Sequence, residues 1–294
     1  MERSLLLEKP DPGARGFFHR LTPARRLPAM RRSVFFLHIP KTAGTSFNSV
    51  FRPEFGCDRF FDHCESRPPT ILKEIQQDEQ PFFASGHIQF THCASLIRNP
   101  GVFSFTLVRE PRAQLNSHLN WVKAYGDRRK PERLKEIAPK IAELARQLWD
   151  VDLNDIDRIR PILDNDVGMR LFDNSQTRYL RQVTKTRSIT QECFETALKA
   201  YDSFSLVATM EDIRSANAYL KSLFPRIKLV HHENRSRLSG GIDFDNAKSR
   251  EFYERFINYD RRLHQSYLER SREDFFPAQE ARPKLMNRFR ALLR

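Results

Sequence analysis

The chain of 294 residues is 39% hydrophobic and 30% charged, a balance that suits one large or two small globular domains with a substantial core. No apolar run approaches the ~20 residues that a membrane-spanning helix needs, and the N-terminal stretch is too charged and proline-rich for a signal-peptide core. We therefore expect a cytoplasmic protein. The net charge of +13 predicts acidic partners, such as nucleotides, anionic polysaccharides, nucleic acid or an anionic membrane face, without choosing among them.

The four cysteines form no CxxC pair and are too few for a disulfide scaffold in a chain of this length, so free thiols are expected. Several of them lie near histidines, but their spacings match no standard zinc template. The sequence therefore predicts no metal site. The residues that bear on this question are Cys57, His63, Cys64, His92, Cys93 and Cys193.

Residues 1–32 mix prolines and arginines with little periodic apolar pattern, which predicts an irregular basic arm. The chain then enters Val34–Ile39, an apolar run without alternation that is typical of a parallel strand covered on both faces. Pro40 ends the run. The next six residues offer a cation, small side chains and hydroxyls where the first amides of a helix lack partners, which predicts a site for phosphate or sulfate. The predicted anion-binding residues are Lys41, Thr42, Ala43, Gly44, Thr45 and Ser46.

This turn is not a Walker A motif, because Lys41 precedes Gly44 instead of following the last glycine. An ordinary strand-turn-helix corner with a solvated lysine is the alternative. The helix that follows should run from Thr45 to Phe51 and stop at Pro53.

The sequence predicts a loop at residues 54–70 and a short helix at 71–77. A second apolar strand is predicted within 81–90, with His87 at its end. Ligands of α/β proteins bind outside the carboxyl ends of strands, so His87 is a candidate general base. A structural histidine satisfied by hydrogen bonds is the alternative at this point.

Val102–Val108 is the clearest predicted strand, and Pro111 suits the first position of the helix after it. Arg109, at the strand end, and Ser117, in the second helical turn, are predicted to bind a second phosphate. A surface ion pair is the alternative for this arginine.

The remaining pattern alternates helices with strands. Helices are predicted at 131–149, 161–171, 173–180, 190–201, 211–224 and 246–270, and strands at 205–208 and 227–231. The alternation predicts an α/β fold with a parallel β-sheet flanked by helices. We expect a basic arm at 1–32, a single domain at 33–275 and a basic tail at 276–294, the arms being able to touch an anionic membrane peripherally.

Three segments together resemble the carbohydrate sulfotransferases of the heparan sulfate 2-O-sulfotransferase type and their bacterial relatives. They are FLHIPKTAGTS at 36–46, GHIQF at 86–90 and LVREPRAQLNS at 107–117. The resemblance covers about residues 34–125, with weaker similarity at 174–180 and 207–211. It implies a P-loop NTPase-like sulfotransferase fold and 3′-phosphoadenosine 5′-phosphosulfate (PAPS) as sulfuryl donor.

The resemblance also implies a role for each motif. Lys41 would stabilise the departing 5′-phosphate, which the residues from Thr42 to Ser46 would hold. His87 would take the proton of the acceptor hydroxyl, and Arg109 with Ser117 would bind the 3′-phosphate.

Three positions depart from the family pattern. Gln114 stands where a second arginine is usual, with Arg112 a possible substitute, and Leu119 replaces an aromatic residue. Ser85 stands where the heparan enzyme has a second histidine, which predicts an acceptor, or an acceptor orientation, unlike that of heparan sulfate.

The resulting hypothesis is a single in-line sulfuryl transfer to a glycan or glycolipid hydroxyl, without a metal requirement. The alternatives are a P-loop-like small-molecule kinase, for which no Walker B aspartate is evident, and a non-enzymatic polyanion-binding module. Nucleic acid is not an expected partner, because no aromatic-rich RNA motif or DNA-reading element is present.

Overall fold

A computed structural model describes residues 33–42, 44–67, 70–77, 80–183, 186–227 and 240–275. Both predicted basic arms, 1–32 and 276–294, lie outside the described residues. Within that part of the chain, no helix is long and apolar enough to cross a bilayer.

The described chain contains a five-stranded, wholly parallel sheet flanked by helices, which confirms the predicted α/β class. The order β2-β3-β1-β4-β5 places the first strand at the centre. The strands are β1 (Ser33–Leu37), β2 (Phe60–Phe61), β3 (Phe83–Gly86), β4 (Val102–Val108) and β5 (Leu206–Thr209). The bounds predicted for β4 are confirmed, whereas β2 lies in a stretch that we expected to be a loop. The strand predicted at 227–231 falls almost wholly outside the described residues.

The helices cover both faces of the sheet. Helices that follow β4 in the chain also pack on one another around a third hydrophobic cluster. They are α1 (Gly44–Phe55), α2 (Ile71–Gln77), α3 (Phe90–Ile97), α4 (Pro111–Tyr125), α5 (Pro139–Trp149), α6 (Ile156–Leu163), α7 (Asp166–Phe172), α8 (Ser175–Leu180), α9 (Gln191–Tyr201), α10 (Ile213–Leu223), α11 (Ala247–Glu254) and α12 (Asn258–Phe275). Short 3₁₀ helices occupy Cys64–Ser66 and Pro131–Glu136.

Both faces of β1 are buried, which explains its unbroken apolar sequence. Phe35 and Leu37 pack with residues of α3, α9 and α12 on one face. Val34 and Phe36 pack with α1 and α10 on the other. All four side chains are 0% exposed, so β1 is a fixed support for whatever follows its carboxyl end.

Several helix boundaries that were predicted from the positions of prolines are wrong. Pro53 lies inside α1, whose last turn continues to Phe55 and ends where the amide of Gly56 bonds to Arg52 O, with Gly56 at a positive φ of 73°. Pro161 likewise lies inside α6, which begins earlier than predicted. Conversely, the helix predicted across 131–149 breaks into a 3₁₀ helix and α5, which starts at Pro139.

Helices α8 and α12 cap each other. The Asn174 side-chain oxygen accepts from the amides of Tyr259 and Asp260 at the start of α12. The Asp260 carboxylate accepts from the amides of Gln176 and Thr177, and from the Thr177 hydroxyl, at the start of α8. These bonds satisfy amides that helix starts leave unpaired. The polar segment 173–180 is therefore largely committed to internal structure.

Replacing Asp260 with alanine should destabilise the fold by at least about 3 kcal/mol, because three buried donors would lose their acceptor. Urea unfolding followed by circular dichroism would measure this change. Glu251, an exposed carboxylate of α11, provides a control whose alanine variant should stay within about 0.5 kcal/mol of the original protein. An Asp260→Ala protein of unchanged stability would contradict the importance of the reciprocal caps.

Candidate functional site

The three segments singled out in the sequence leave the sheet from adjacent strands at one edge. The register pairs Leu37 of β1 with Gly86 of β3 and with Thr106 of β4. His87 directly follows β3, and Arg109 directly follows β4. Parallel strands share the direction of their carboxyl ends, and β1 has neighbours on both sides that come later in the chain. This is the edge at which α/β proteins bind ligands.

The turn after β1 is held in an unusual conformation. Lys41 has a positive φ of 68°, which non-glycine residues adopt rarely and mostly where surrounding structure enforces it. The buried Gln114 amide enforces it from α4 by donating to Pro40 O at 3.0 Å, and the Thr42 hydroxyl donates to Ile39 O at 2.8 Å. The turn is therefore preorganised, with α1 starting two residues after Thr42.

The predicted phosphate-holding residues divide into three groups. The Thr42 hydroxyl proton is already used within the turn, so the hydroxyl does not donate to a phosphate in this arrangement. Ala43 lies outside the described residues. Gly44, Thr45 and Ser46 form the first turn of α1, where backbone amides lack intrahelical partners.

Lys41 and Arg109 meet at this edge. The Arg109 Nη1 donates to the Lys41 carbonyl at 3.2 Å, and the Lys41 Nζ lies 5.8 Å from the centre of the Trp121 ring. Burial and the charge of Arg109 lower the pKa of Lys41. Burial also lowers the pKa of Arg109, although Glu211 and Glu110 oppose that shift. Among the described residues neither cation forms an ion pair, so an anion bound here would relieve their repulsion.

Arg109 has a well-fixed backbone. The Gln176 side chain accepts from the Arg109 amide and donates to the Arg109 carbonyl, both at 2.9 Å. Glu110 caps α4 by accepting from the amides of Arg112 and Ala113. The guanidinium therefore projects from a rigid strand end.

The other predicted residues of this corner have mixed outcomes. Ser117 lies partly exposed on α4, and its hydroxyl has no hydrogen-bond partner in the described part of the chain. Arg112, the suggested substitute for a second phosphate-binding arginine, instead pairs with Glu254 at 2.7 Å and lies over Phe244. Gln114, which stands where the family pattern has an arginine, supports the turn after β1 through its hydrogen bond to Pro40 O.

His87 lies against a carboxylate that the sequence did not reveal. Glu65 Oε2 accepts from the His87 amide at 3.0 Å, and Glu65 Oε1 lies 3.4 Å from His87 Nδ1. Burial lowers the pKa of His87, Glu65 opposes this shift, and the charges of His63 and Lys41 add to it. The ring is therefore neutral, and able to accept a proton, at neutral pH.

Two further histidines line the same region and were also missed. The His38 ring centre is 4.2 Å from that of His87, and burial, with His87 next, lowers the pKa of His38 well below its ordinary value. Burial, together with the His87 and Lys41 charges, lowers the pKa of His118 to about 3. The sequence signal for His118 was its position on the apolar face of α4, between Leu115 and Leu119. At neutral pH these imidazoles add no positive charge.

The His87 Nε2 is buried and has no hydrogen-bond partner among the described residues. The side chain as a whole is 29% exposed, so solvent reaches other atoms of the ring. An acceptor hydroxyl reaches Nε2 only after the ring turns or a covering side chain moves. Buried nitrogens without partners are rare and commonly mark functional groups.

A cleft of about 760 Å³ lies beside α11 and α12, and its lining includes Arg112 but none of Lys41, His87 and Arg109. Its arginines are largely paired internally, since Arg112 and Arg261 share Glu254 and Arg255 pairs with Asp164. The cations of the strand-end site lack such partners among the described residues, so that site is the better candidate for an anionic ligand.

No group of three or more histidine, cysteine, aspartate or glutamate residues that could hold a metal is found in the described part of the chain. No protein-family model matches the chain, and no curated protein matches it.

Proposed function

We propose that this protein is a sulfotransferase that moves a sulfuryl group from PAPS to a hydroxyl of a glycan or glycolipid acceptor, on a P-loop NTPase-like sulfotransferase fold. The observation that supports it best is the hydrogen bond from the Arg109 guanidinium to the Lys41 backbone carbonyl. It joins two cationic residues beside neighbouring strand ends, and neither forms an ion pair in the described part of the chain. Two such cations favour a ligand with two anionic ends. PAPS has a 5′-phosphosulfate and a 3′-phosphate.

In this proposal each residue acts through its position. Lys41 and the first amides of α1 balance the negative charge that develops on the 5′-phosphate as the sulfur–oxygen bond breaks. His87 takes the proton of the attacking hydroxyl, and its neutrality near pH 7 suits that role. Arg109 and Ser117 hold the 3′-phosphate and fix the donor in line with the acceptor.

Incubation of the full chain with isotopically labelled PAPS and an extract of glycans and lipids from its own cells tests the proposal. Transfer of label that persists in the presence of a metal chelator would support it. Magnesium-dependent consumption of ATP without sulfuryl transfer would instead indicate a kinase. Steeply salt-dependent binding of nucleic acid without any transfer would indicate a polyanion-binding module.

Arg109→Ala should weaken binding of 3′-phosphoadenosine 5′-phosphate by about 10- to 100-fold, since charge-assisted hydrogen bonds to a phosphate are lost. Calorimetry with this nucleotide and with adenosine 5′-phosphate would show how much of the lost affinity comes from the 3′-phosphate. The original protein should prefer the nucleotide with the 3′-phosphate, and the variant should lose most of that preference.

Arg112→Ala is the matched control, because Arg112 is paired with Glu254. It should keep the preference for the 3′-phosphate. Loss of the preference in the Arg112 variant alone would move the phosphate site from Arg109 to Arg112.

A further inference from the structure

The loop before β3 brings a carboxylate to the end of that strand. Glu65 lies in the 3₁₀ helix Cys64–Ser66, and its two carboxylate oxygens face His87 from one side. One oxygen accepts from the His87 amide, and the other lies 3.4 Å from Nδ1. The hydrogen bond from the His87 amide fixes the carboxylate beside this residue, and the second carboxylate oxygen faces the Nδ1 side of the ring.

Gly86 makes this approach possible. A Cβ at position 86 would lie 2.6 Å from Glu65 Oε2, closer than atoms can pack, and 3.1 Å from the Cys64 amide nitrogen, which is a tight contact. Because Gly86 has no side chain, the carboxylate reaches the strand end. Any other residue here would displace the Glu65 carboxylate and shift the backbone of the 3₁₀ helix slightly.

The two nitrogens of His87 have opposite environments. Nδ1 faces the carboxylate, whereas Nε2 is buried without a partner in the described residues. A carboxylate accepts but does not donate, so it favours the tautomer that carries its proton on Nδ1. That tautomer leaves the lone pair on Nε2, the nitrogen that a base must present.

We propose that Glu65 is a positioning residue for His87: it holds the proton on Nδ1, aims Nε2 as the base, and stabilises the imidazolium that forms. The inference rests on the proposed sulfuryl transfer. In that step the acceptor oxygen bonds to sulfur, the bond from sulfur to the 5′-phosphate oxygen breaks with its electron pair going to the phosphate, and the hydroxyl proton moves to Nε2. Glu65 keeps its charge throughout and is not itself protonated.

Other charged and titratable groups also face His87. They are His38 and Lys41 from the turn after β1, His63 beside Glu65, His118 from α4 and Tyr179 from α8. Of these, only His63 competes for the carboxylate, with its Nδ1 3.3 Å from Oε1. Glu65 is the one group in the set whose charge favours the imidazolium form of His87 at neutral pH.

Glu65→Gln tests the inference without requiring turnover. Nitrogen-15 NMR of labelled histidine should show His87 with its proton on Nδ1 in the original protein and a mixed or reversed tautomer in the variant. Since Glu65 raises the pKa of His87, the variant's His87 should titrate at a lower pH. An unchanged tautomer and an unchanged titration would overturn the inference, even if the protein proved not to transfer sulfuryl groups.

With an acceptor in hand, Glu65→Gln should lower kcat by about 10- to 100-fold while leaving the KM for PAPS nearly unchanged. The acid side of the pH profile should shift to lower pH with the His87 titration. A rate equal to that of the original protein would refute the positioning role. Absence of transfer by the original protein, with the NMR result intact, would refute only the proposed function.

Three further variants distinguish the effect of the Glu65 carboxylate from the effects of neighbouring groups. Gly86→Ala should reproduce the NMR changes by displacing Glu65, and a melting curve would show whether it remains folded. Glu74→Gln changes an exposed carboxylate of α2 and should behave like the original protein. His63→Gln should retain the His87 tautomer, because it removes an imidazole that competes for the carboxylate. Loss of the Nδ1 proton of His87 in this variant, as large as in Glu65→Gln, would contradict the assignment of the tautomer to Glu65 alone.

Discussion

His87→Ala should lower kcat by about 10²- to 10⁴-fold, the range expected when a positioned general base is removed. The reason is that the acceptor hydroxyl would have to lose its proton to water or to a poorly placed group. Single-turnover transfer of label from PAPS would measure the loss.

Nucleotide affinity should change little in the same variant, because Lys41, Arg109 and the start of α1 are left in place. Calorimetric titration with 3′-phosphoadenosine 5′-phosphate would check this. His92→Ala, which changes an exposed histidine of α3, is the control and should retain full activity. If His87→Ala kept the original rate, His87 would no longer be the base.

Lys41→Ala should lower kcat by about 10²- to 10³-fold, comparable to the loss of one preorganised donor to a developing negative charge. Alanine accepts the positive φ of this position no worse than lysine, since both carry a Cβ. The change therefore removes the ammonium group without adding backbone strain. Rapid-quench measurement of the chemical step would separate this effect from binding.

The ligand-free Lys41→Ala protein should melt no lower than the original, because the variant relieves repulsion with Arg109. Stabilisation by added nucleotide should be smaller in the variant. Lys73→Ala, an exposed lysine of α2, is the control for general loss of charge. An unchanged kcat for Lys41→Ala would contradict its role at the leaving phosphate.

Elements with a strong local pattern were predictable. β4 is a seven-residue run with five apolar residues, and α4 begins at Pro111, where a proline costs no hydrogen bond. The bounds of β4 and the start of α4 therefore followed from the sequence. β2 has only Phe60 and Phe61, too few residues for any periodicity, and it exists because β3 offers it a parallel partner. Pairing with a strand that is distant in the sequence, and not the local pattern, therefore determines that β2 forms.

The site was partly predictable for the same reason. His87 and Arg109 directly follow their strands, and Lys41 lies in the turn after β1, so the sheet order brought all three to one edge. Glu65 lies 22 residues before His87 in the 3₁₀ helix that follows β2, and the pairing of β2 with β3 brings that helix beside the end of β3. A carboxylate whose partner is fixed by tertiary contacts leaves no spacing signal in the sequence.

The bonds around Gln176 connect the site to the far end of the described chain. Gln176 offers one donor and one acceptor to the backbone of Arg109, as a neighbouring strand would, and Asp260 of α12 fixes the amide of Gln176. Truncation before Asp260 would therefore loosen the phosphate corner while deleting none of the residues assigned to chemistry. Screens that trim this protein from its C-terminus should find the activity boundary within α12, well outside the nucleotide motifs.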